Sequence, residues 1–175
     1  MSSYGKKPNI GCLFYSFILV VFIIIVIIAS IVGAVRSAQS ASYQKAMDGL
    51  MEYTGSQVIG SMMVAYDEEE QKYSKTYVPE SLIAENAKDV RYILYFETGE
   101  LATGVYSNGA GTGYKRSVSL RIHDLKTGAD IAAEDFFGSD PPSSITAKPN
   151  EKPKKVYGSY PDSEKIQAWI LDTIG

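Results

Sequence analysis

The chain has 175 residues, and its seventeen basic and twenty acidic side chains give a net charge of −3. Beyond Arg36 there are fourteen basic and twenty acidic residues, a net charge of −6, which disfavours nucleic acid because such partners require a basic surface. Cys12 is the only cysteine, which excludes an internal disulfide and a cysteine-based metal site. The sequence shows no catalytic, cofactor or metal-ligand motif, so we predict no catalytic, cofactor-binding or metal-binding residues and no cofactor.

An apolar segment without charged residues lies near the N-terminus, after a short tail over residues 1–9. Residues 13–35 are almost entirely Ile, Val, Leu and Phe, and a helix of this length rises ~35 Å, which exceeds a hydrocarbon core of ~30 Å. We predict a single-pass transmembrane helix over residues 10–36 that acts as an uncleaved signal-anchor. A cleaved signal peptide is the alternative, because small residues follow the segment, although its apolar core exceeds the usual ~7–15 residues.

Basic residues flank the apolar segment almost equally, with Lys6 and Lys7 before it and Arg36 and Lys45 after it. The very short tail favours a cytoplasmic N-terminus and a C-terminal domain outside the cell membrane. An outside domain without disulfides suits a bacterial or archaeal surface at least as well as a eukaryotic one. The expected partners are therefore the lipid bilayer and an unknown protein.

Small residues spaced four apart form two adjacent rows where the apolar segment ends. Such rows let two helices approach closely in a membrane, which predicts a homodimer, whereas the alternative is that small residues merely ease the chain out of the bilayer. The rows comprise Ala29, Gly33, Ser37 and Ala41, and Ser30, Ala34, Ala38 and Ser42, and the predicted dimer contact is centred on Ala29, Gly33, Ala34 and Ala38.

Residues 37–73 are predicted to continue as a helical stalk. Apolar residues recur there at helical spacing, and the acidic run at 67–70 is typical of a solvated helix face. They form two apolar stripes: Tyr43, Ala46, Met47 and Leu50, then Val58, Ile59, Met62, Met63 and Tyr66. In a lone stalk the first stripe would be exposed to water, so either a second stalk or the protein's own domain would cover it.

After a linker at 74–89, the apolar period changes from helical to alternating. Residues 90–97 predict a strand that ends at Gly99, and residues 101–107 predict a weaker second strand. The glycine-rich segment 108–113 predicts a mobile hairpin loop, because it lacks the lysine and the following helix of a phosphate loop. Residues 118–123 and 131–137 predict a β-hairpin around the turn 124–128.

The C-terminal segment predicts a loop over residues 138–155 and then a helix from Asp162 to Ile174 whose apolar stripe lies on the sheet. The fold class is therefore α+β: an N-terminal transmembrane helix, a helical stalk, and a small antiparallel β-sheet packed by a C-terminal helix in a domain over residues 90–175. The predicted core is Val90, Tyr92 or Ile93, Leu94, Val118, Leu120, Ile122, Phe136, Trp169 and Ile170.

His123 is the only histidine, and it lies on the polar side of a predicted strand near Ser119. Four strand residues separate Cα atoms by ~13 Å, which is too far for a nucleophile–base pair. A hydrolase that uses carboxylates would need Asp124 together with Asp130 or Asp135, in a pocket that raises their pKa values.

The last half of the chain carries a series of turn, corner and helix residues: Asp124, Thr127-Gly128, Phe137-Gly138, Pro141-Pro142, Tyr157-Gly158, Pro161 and Trp169. In this pattern it resembles an extracytoplasmic module of bacterial membrane proteins, and the resemblance implies a shared fold and no activity. The order of apolar helix, helical stalk and antiparallel sheet also resembles type IV pilin-like subunits, from which the chain departs because it lacks their glutamate in the apolar helix and their peptidase site.

These observations favour a membrane-anchored protein whose exposed domain is a non-enzymatic binding or sensory module. The carboxylate-based hydrolase and a self-assembling, pilin-like surface subunit are the alternatives.

Overall fold

The computed structural model describes residues 10–52, 55–107, 109–146 and 152–175, so the predicted tail at 1–9 lies outside the described residues. The chain divides into two compact units, Met1–Ser42 and Tyr43–Gly175. Helix α1, Ile10–Ala46, makes up the described part of the first unit and continues into the second. Its 29-residue part Ile18–Ala46 is long and apolar enough to be a membrane anchor or a signal sequence.

The predicted helical stalk is wrong beyond Ala46, where α1 ends. Short 3₁₀ helices follow at Leu50–Glu52 and Gly55–Gln57, then strands β1, Met62–Asp67, and β2, Lys72–Ser74. Gly49 and Gly55 have positive φ angles of 76° and 56°, which interrupt a continuous helix. The second apolar stripe was ambiguous because short apolar runs fit a strand as well as a helix.

The acidic run at 67–70 forms the turn between β1 and β2 rather than a helix face. The Asp67 carboxylate accepts hydrogen bonds from the backbone N–H groups of Glu69 and Glu70, both at 3.0 Å. Aspartate favours such turns because its short side chain bonds the backbone two or three residues on.

The second unit is built on a mixed sheet of order β2-β1-β3-β4-β5, with β6 also paired to β4. The remaining strands are β3, Val90–Val105; β4, Gly111–Asp124; β5, Ala129–Phe137; and β6, Lys154–Tyr157. The β1–β3 and β4–β6 pairs are parallel, so the sheet is mixed and the prediction of an antiparallel sheet is wrong in this respect. The prediction missed them because β1 and β6 come from segments assigned to the stalk and to a loop.

The predicted strand end at Gly99 is also wrong, because β3 continues to Val105 and includes the predicted second strand. A Cβ at Gly99 would lie 2.6 Å from the Ser117 Oγ on β4, so this glycine permits a close approach rather than a turn. Part of the predicted glycine loop is strand, since β4 begins at Gly111, and Asn108 lies outside the described residues. The predicted hairpin of β4 and β5 is confirmed.

One face of the sheet, here called the helix face, is covered by helix α2, Ser163–Ile174. The Asp162 side chain caps α2 by accepting from the Glu164 N–H, and Ile170 is fully buried. Trp169 is only partly buried and packs edge-on against Phe136, with ring centroids 5.6 Å apart. The other predicted core residues are buried: Val90, Tyr92, Ile93, Leu94, Val118, Leu120, Ile122 and Ile170.

The opposite face, here called the open face, is covered at one end by residues that follow the apolar helix. Met47, Leu50 and Val58 are buried there against Val64 and Ile93. The protein's own domain therefore covers the first apolar stripe, and the idea that two paired stalks bury it is wrong. The predicted linker at 74–89 is corrected too, since it contributes buried Val78, Ala84 and Ala87.

Candidate functional site

Tyrosines from three strands meet on the uncovered part of the open face. The ring of Tyr66 on β1 packs edge-on against Tyr73 on β2 and Tyr95 on β3, with centroid distances of 5.1 and 5.6 Å. Tyr95 reaches this face because it alternates along β3 with the buried Leu94 and Phe96. Burial raises the pKa of Tyr95, and it raises that of Tyr73 to about 12. These phenols stay neutral near neutral pH and supply aromatic surface rather than a base.

Arg121 links opposite sides of this face. Its guanidinium carbon lies 4.2 Å from the Tyr95 ring centroid, a cation–π geometry. One guanidinium nitrogen donates to both Asp130 oxygens, at 3.1 and 3.3 Å, and the other donates to Glu68 at 3.1 Å. Arg121 thus ties the β1–β2 turn to the start of β5.

His123 follows two residues later on β4 and shares the Asp130 carboxylate. Its Nδ1 atom lies 2.7 Å from Asp130 Oδ1. Hydrogen bonds from His123 and then from Arg121 lower the pKa of Asp130 below its ordinary value. The carboxylate is therefore held ionised between two donors, which is a positioning arrangement rather than that of a general acid.

Asp124, the other candidate carboxylate, is buried and does not line the open face. It accepts two hydrogen bonds from Arg91, at 3.2 and 3.0 Å, and one from the Lys126 N–H at 2.9 Å. The bond from Arg91 is the main reason that the pKa of Asp124 is lowered, although burial opposes it. A carboxylate hydrolase needs a raised pKa in its acid, and Asp124 and Asp130 both shift the other way.

A groove of about 600 Å³ lies beside this network, between the β1–β2 turn and β5. Ser119 on β4 has Glu97 on β3 and Asp135 on β5 as its cross-strand neighbours. All three side chains are exposed, and neither carboxylate takes part in an ion pair within the described part of the chain. The groove is lined by Glu68, Tyr95, Ser119, Leu120, Arg121, Ala133, Glu134, Asp135 and Phe137.

The charge of the groove is negative. Arg121 is neutralised by Glu68 and Asp130, whereas Glu134 and Asp135 have no basic partner among the described residues. Aromatic surface from Tyr95 and from Phe137, which is 52% exposed, shares the open face with Asp135, whereas Glu134 lies at the edge of the groove toward the helix face. Carboxylates beside aromatic rings favour a cationic group such as a lysine or arginine side chain.

The glycines that carry the bacterial-module resemblance have a packing role. A Cβ at Gly138 would lie 1.9 Å from the Ser159 carbonyl oxygen, and one at Gly158 would lie 1.9 Å from that of Ser139. Ser139 and Ser159 also bond reciprocally, each side chain accepting from the other residue's N–H at 2.9 and 3.2 Å. The two segments therefore approach too closely for any side chain at either glycine.

Within the described residues, no group of three or more His, Cys, Asp or Glu side chains is placed to hold a metal ion. No protein-family model, curated protein or solved structure matches this chain.

The sequence predicted no site residues; as possible catalytic groups it considered His123, Ser119 and three aspartates, of which Asp124 lies outside this cluster. A usable signal was Arg121, a cation that alternates with core residues on a strand. Its partner Glu68 is 53 positions away, so the pairing is not readable from local pattern.

Proposed function

We propose that this protein is a single-pass membrane protein whose second unit, Tyr43–Gly175, is a non-enzymatic binding module on the extracytoplasmic side. The observation that carries this proposal is the acidic groove, where Asp135 stands exposed beside Tyr95 and Phe137 and Glu134 stands exposed at the groove's edge, neither with a basic partner among the described residues. The proposed ligand is a cationic group on another protein.

The polar residues fall into two groups, paired aspartates and exposed carboxylates, and this difference supports a binding role. Asp124 and Asp130 are engaged by arginine and histidine donors that stabilise their charged forms. The exposed carboxylates are free to meet a cation, and exposed charge of one sign speeds association with an oppositely charged partner. Binding thus needs no proton transfer from the groove.

The membrane anchor is proposed from α1 and from the two lysines that precede it in the sequence. Mass spectrometry of the membrane-extracted protein should detect peptides from before Ala34. A soluble product that begins near Ser37 or Ser42 would instead identify α1 as a cleaved signal sequence.

Crosslinking in intact cells tests the binding role. Ser119→Cys, in a Cys12→Ser background, places the only thiol in the groove. Glu80→Cys, in the same background, places it at an exposed residue of the chain segment that connects β2 to β3. A thiol-reactive photo-crosslinker should capture one specific protein from Ser119→Cys and not from Glu80→Cys. The same neighbours at both positions, or none at Ser119→Cys, would contradict the proposal.

Self-association of α1 is a second proposal, and it concerns the anchor alone. The small residues Ala29, Gly33, Ala34 and Ala38 are exposed along α1, as a close helix–helix contact requires. Replacing Gly33 and Ala34 by Ile should abolish a dimer detected by crosslinking in detergent. A monomeric wild type, or a double variant that still dimerises, would rule out this contact.

A further inference from the structure

We propose that β5 is a docking edge at which a basic, extended segment of a partner protein adds to the sheet as a further strand. This inference rests on the proposed function and names the chemistry of the partner that the groove would bind. In this inference, hydrogen bonds between the backbones of β5 and the partner segment contribute to binding together with charge attraction.

The position of β5 in the sheet supports backbone pairing. It is the last strand of the order β2-β1-β3-β4-β5, and β4 is its only strand partner in the described part of the chain. Seven of its nine residues are exposed, and the strand contains neither proline nor lysine. Natural proteins usually protect an edge of this length with such residues or with a covering segment.

The side chains of β5 leave room for another strand. Ala132 and Ala133 lie at its centre and present little bulk on either face. A neighbouring strand would lie ~4.8 Å away, and its alternate side chains would reach Asp135 on the open face and Glu134 on the helix face. Since both faces carry a carboxylate here, the partner segment should have basic residues at adjacent positions.

A second copy of this chain fits the edge less well than a basic partner. An antiparallel register centred on Glu134 places two glutamates opposite each other, which is destabilising. A register centred on Ala133 places Asp135 of one copy opposite Ile131 of the other. Each copy also carries a net charge of −6 beyond Arg36, so the charge of the domain favours a cationic occupant.

The test uses the full chain in detergent micelles and a fluorescein-labelled peptide of sequence Thr-Val-Lys-Lys-Val-Lys-Thr. Fluorescence anisotropy should show saturable binding of this peptide and none of the version with Glu in place of each Lys. Two further versions of the peptide carry N-methyl groups on alternate backbone nitrogens. One version is methylated at the odd-numbered peptide residues and the other at the even-numbered ones. Only one edge of an added strand faces β5, so one set should weaken binding about tenfold or more and the other should be tolerated.

Protein variants locate the peptide on β5. Glu134→Lys and Asp135→Lys should each weaken binding about tenfold, whereas Glu80→Lys, the same charge change at an exposed residue in the chain segment between β2 and β3, should leave it within about twofold. Hydrogen exchange should slow at β5 amides when the peptide is bound. Equal effects of the two methylated sets would overturn strand addition while leaving the acidic groove as a binding site. Absence of peptide binding would overturn the inference, and only loss of the Ser119→Cys crosslink as well would overturn the proposed function.

Discussion

The two edges of the sheet are treated in opposite ways. At the β2 edge, the Gln44 side chain acts as a substitute strand: its oxygen accepts from the Tyr73 N–H at 2.8 Å and its nitrogen donates to the Tyr73 carbonyl. That strand has three part-buried residues, with Lys72 at its start and Lys75 directly after its end. At the β5 edge a strand of nine residues has no such cover within the described ranges.

The domain thus covers the β2 edge with a side chain and leaves the β5 edge without such cover among the described residues. The β2 edge is closed by Gln44, which lies near the C-terminal end of α1, and these bonds stabilise the domain. The β5 edge borders the acidic groove, and its openness supports the proposed role in binding.

The largest expected effect concerns α2, which supports the β5 side of the sheet. Ile170→Ala should lower the free energy of unfolding by about 4 kcal/mol, because a fully buried side chain leaves a cavity. Leu171→Ala is the matched control, since Leu171 is 46% exposed on the same helix and should cost less than about 1 kcal/mol. Denaturant titration of the full chain in micelles measures both, and equal losses would contradict the assigned helix face.

The next effect concerns the turn that joins β4 to β5. Asp124→Asn should cost about 3 kcal/mol, because it leaves the Arg91 guanidinium without its buried counter-charge. Asp140→Asn removes an ion pair with Lys115 whose carboxylate is 77% exposed, and should change stability by less than about 1 kcal/mol. A similar response of the two variants would mean that the Arg91–Asp124 pair does not hold the turn.

Acid should weaken the same turn. The pKa of Asp124 is lowered from its ordinary value of 3.8, so the stability that it contributes is present above that value. This stability is lost as the pH falls below 3.8 and through the lowered pKa, because the unfolded chain takes up the proton at a higher pH than the folded protein does. Unfolding measured from pH 6 to about pH 2 should show a shallower acid slope in Asp124→Asn. An unchanged slope would show that other carboxylates dominate.

A smaller effect is expected at the closed edge. Gln44→Leu removes both side-chain bonds to Tyr73 and should cost about 1–2 kcal/mol, with faster exchange of the Tyr73 amide. Gln57→Leu makes the same chemical change at an exposed position and should leave that amide protected. Unaltered protection in Gln44→Leu would show that the amide cap does not close this edge.

The smallest effect on stability is expected at the open edge. Asp135→Lys should change the free energy of unfolding by less than about 0.5 kcal/mol, because the side chain is exposed and without an ion pair among the described residues. A thermal melt matching wild type, together with weakened binding of the lysine peptide, would separate binding from folding. A marked loss of stability would assign Asp135 a structural role.

Alternation and helical spacing were sufficient to predict several elements. The apolar helix, the β4–β5 hairpin and α2 were predictable because each depends mainly on residues near in sequence. Strand β1 was missed because Met62, Met63 and Tyr66 fit helical spacing as well as a strand. Strand β6 was missed because its four residues follow a segment rich in proline and lysine.

By itself, the sequence determined an apolar helix able to span a membrane, a separate acidic region without disulfides, and an α+β pattern within that region. Only the tertiary structure decided that Met47 and Leu50 are covered by their own domain and that Arg121 joins Glu68 to Asp130. Local pattern reports which side of a helix or strand is apolar. It does not report which distant element covers that side, because strand order and register arise from packing between residues tens of positions apart.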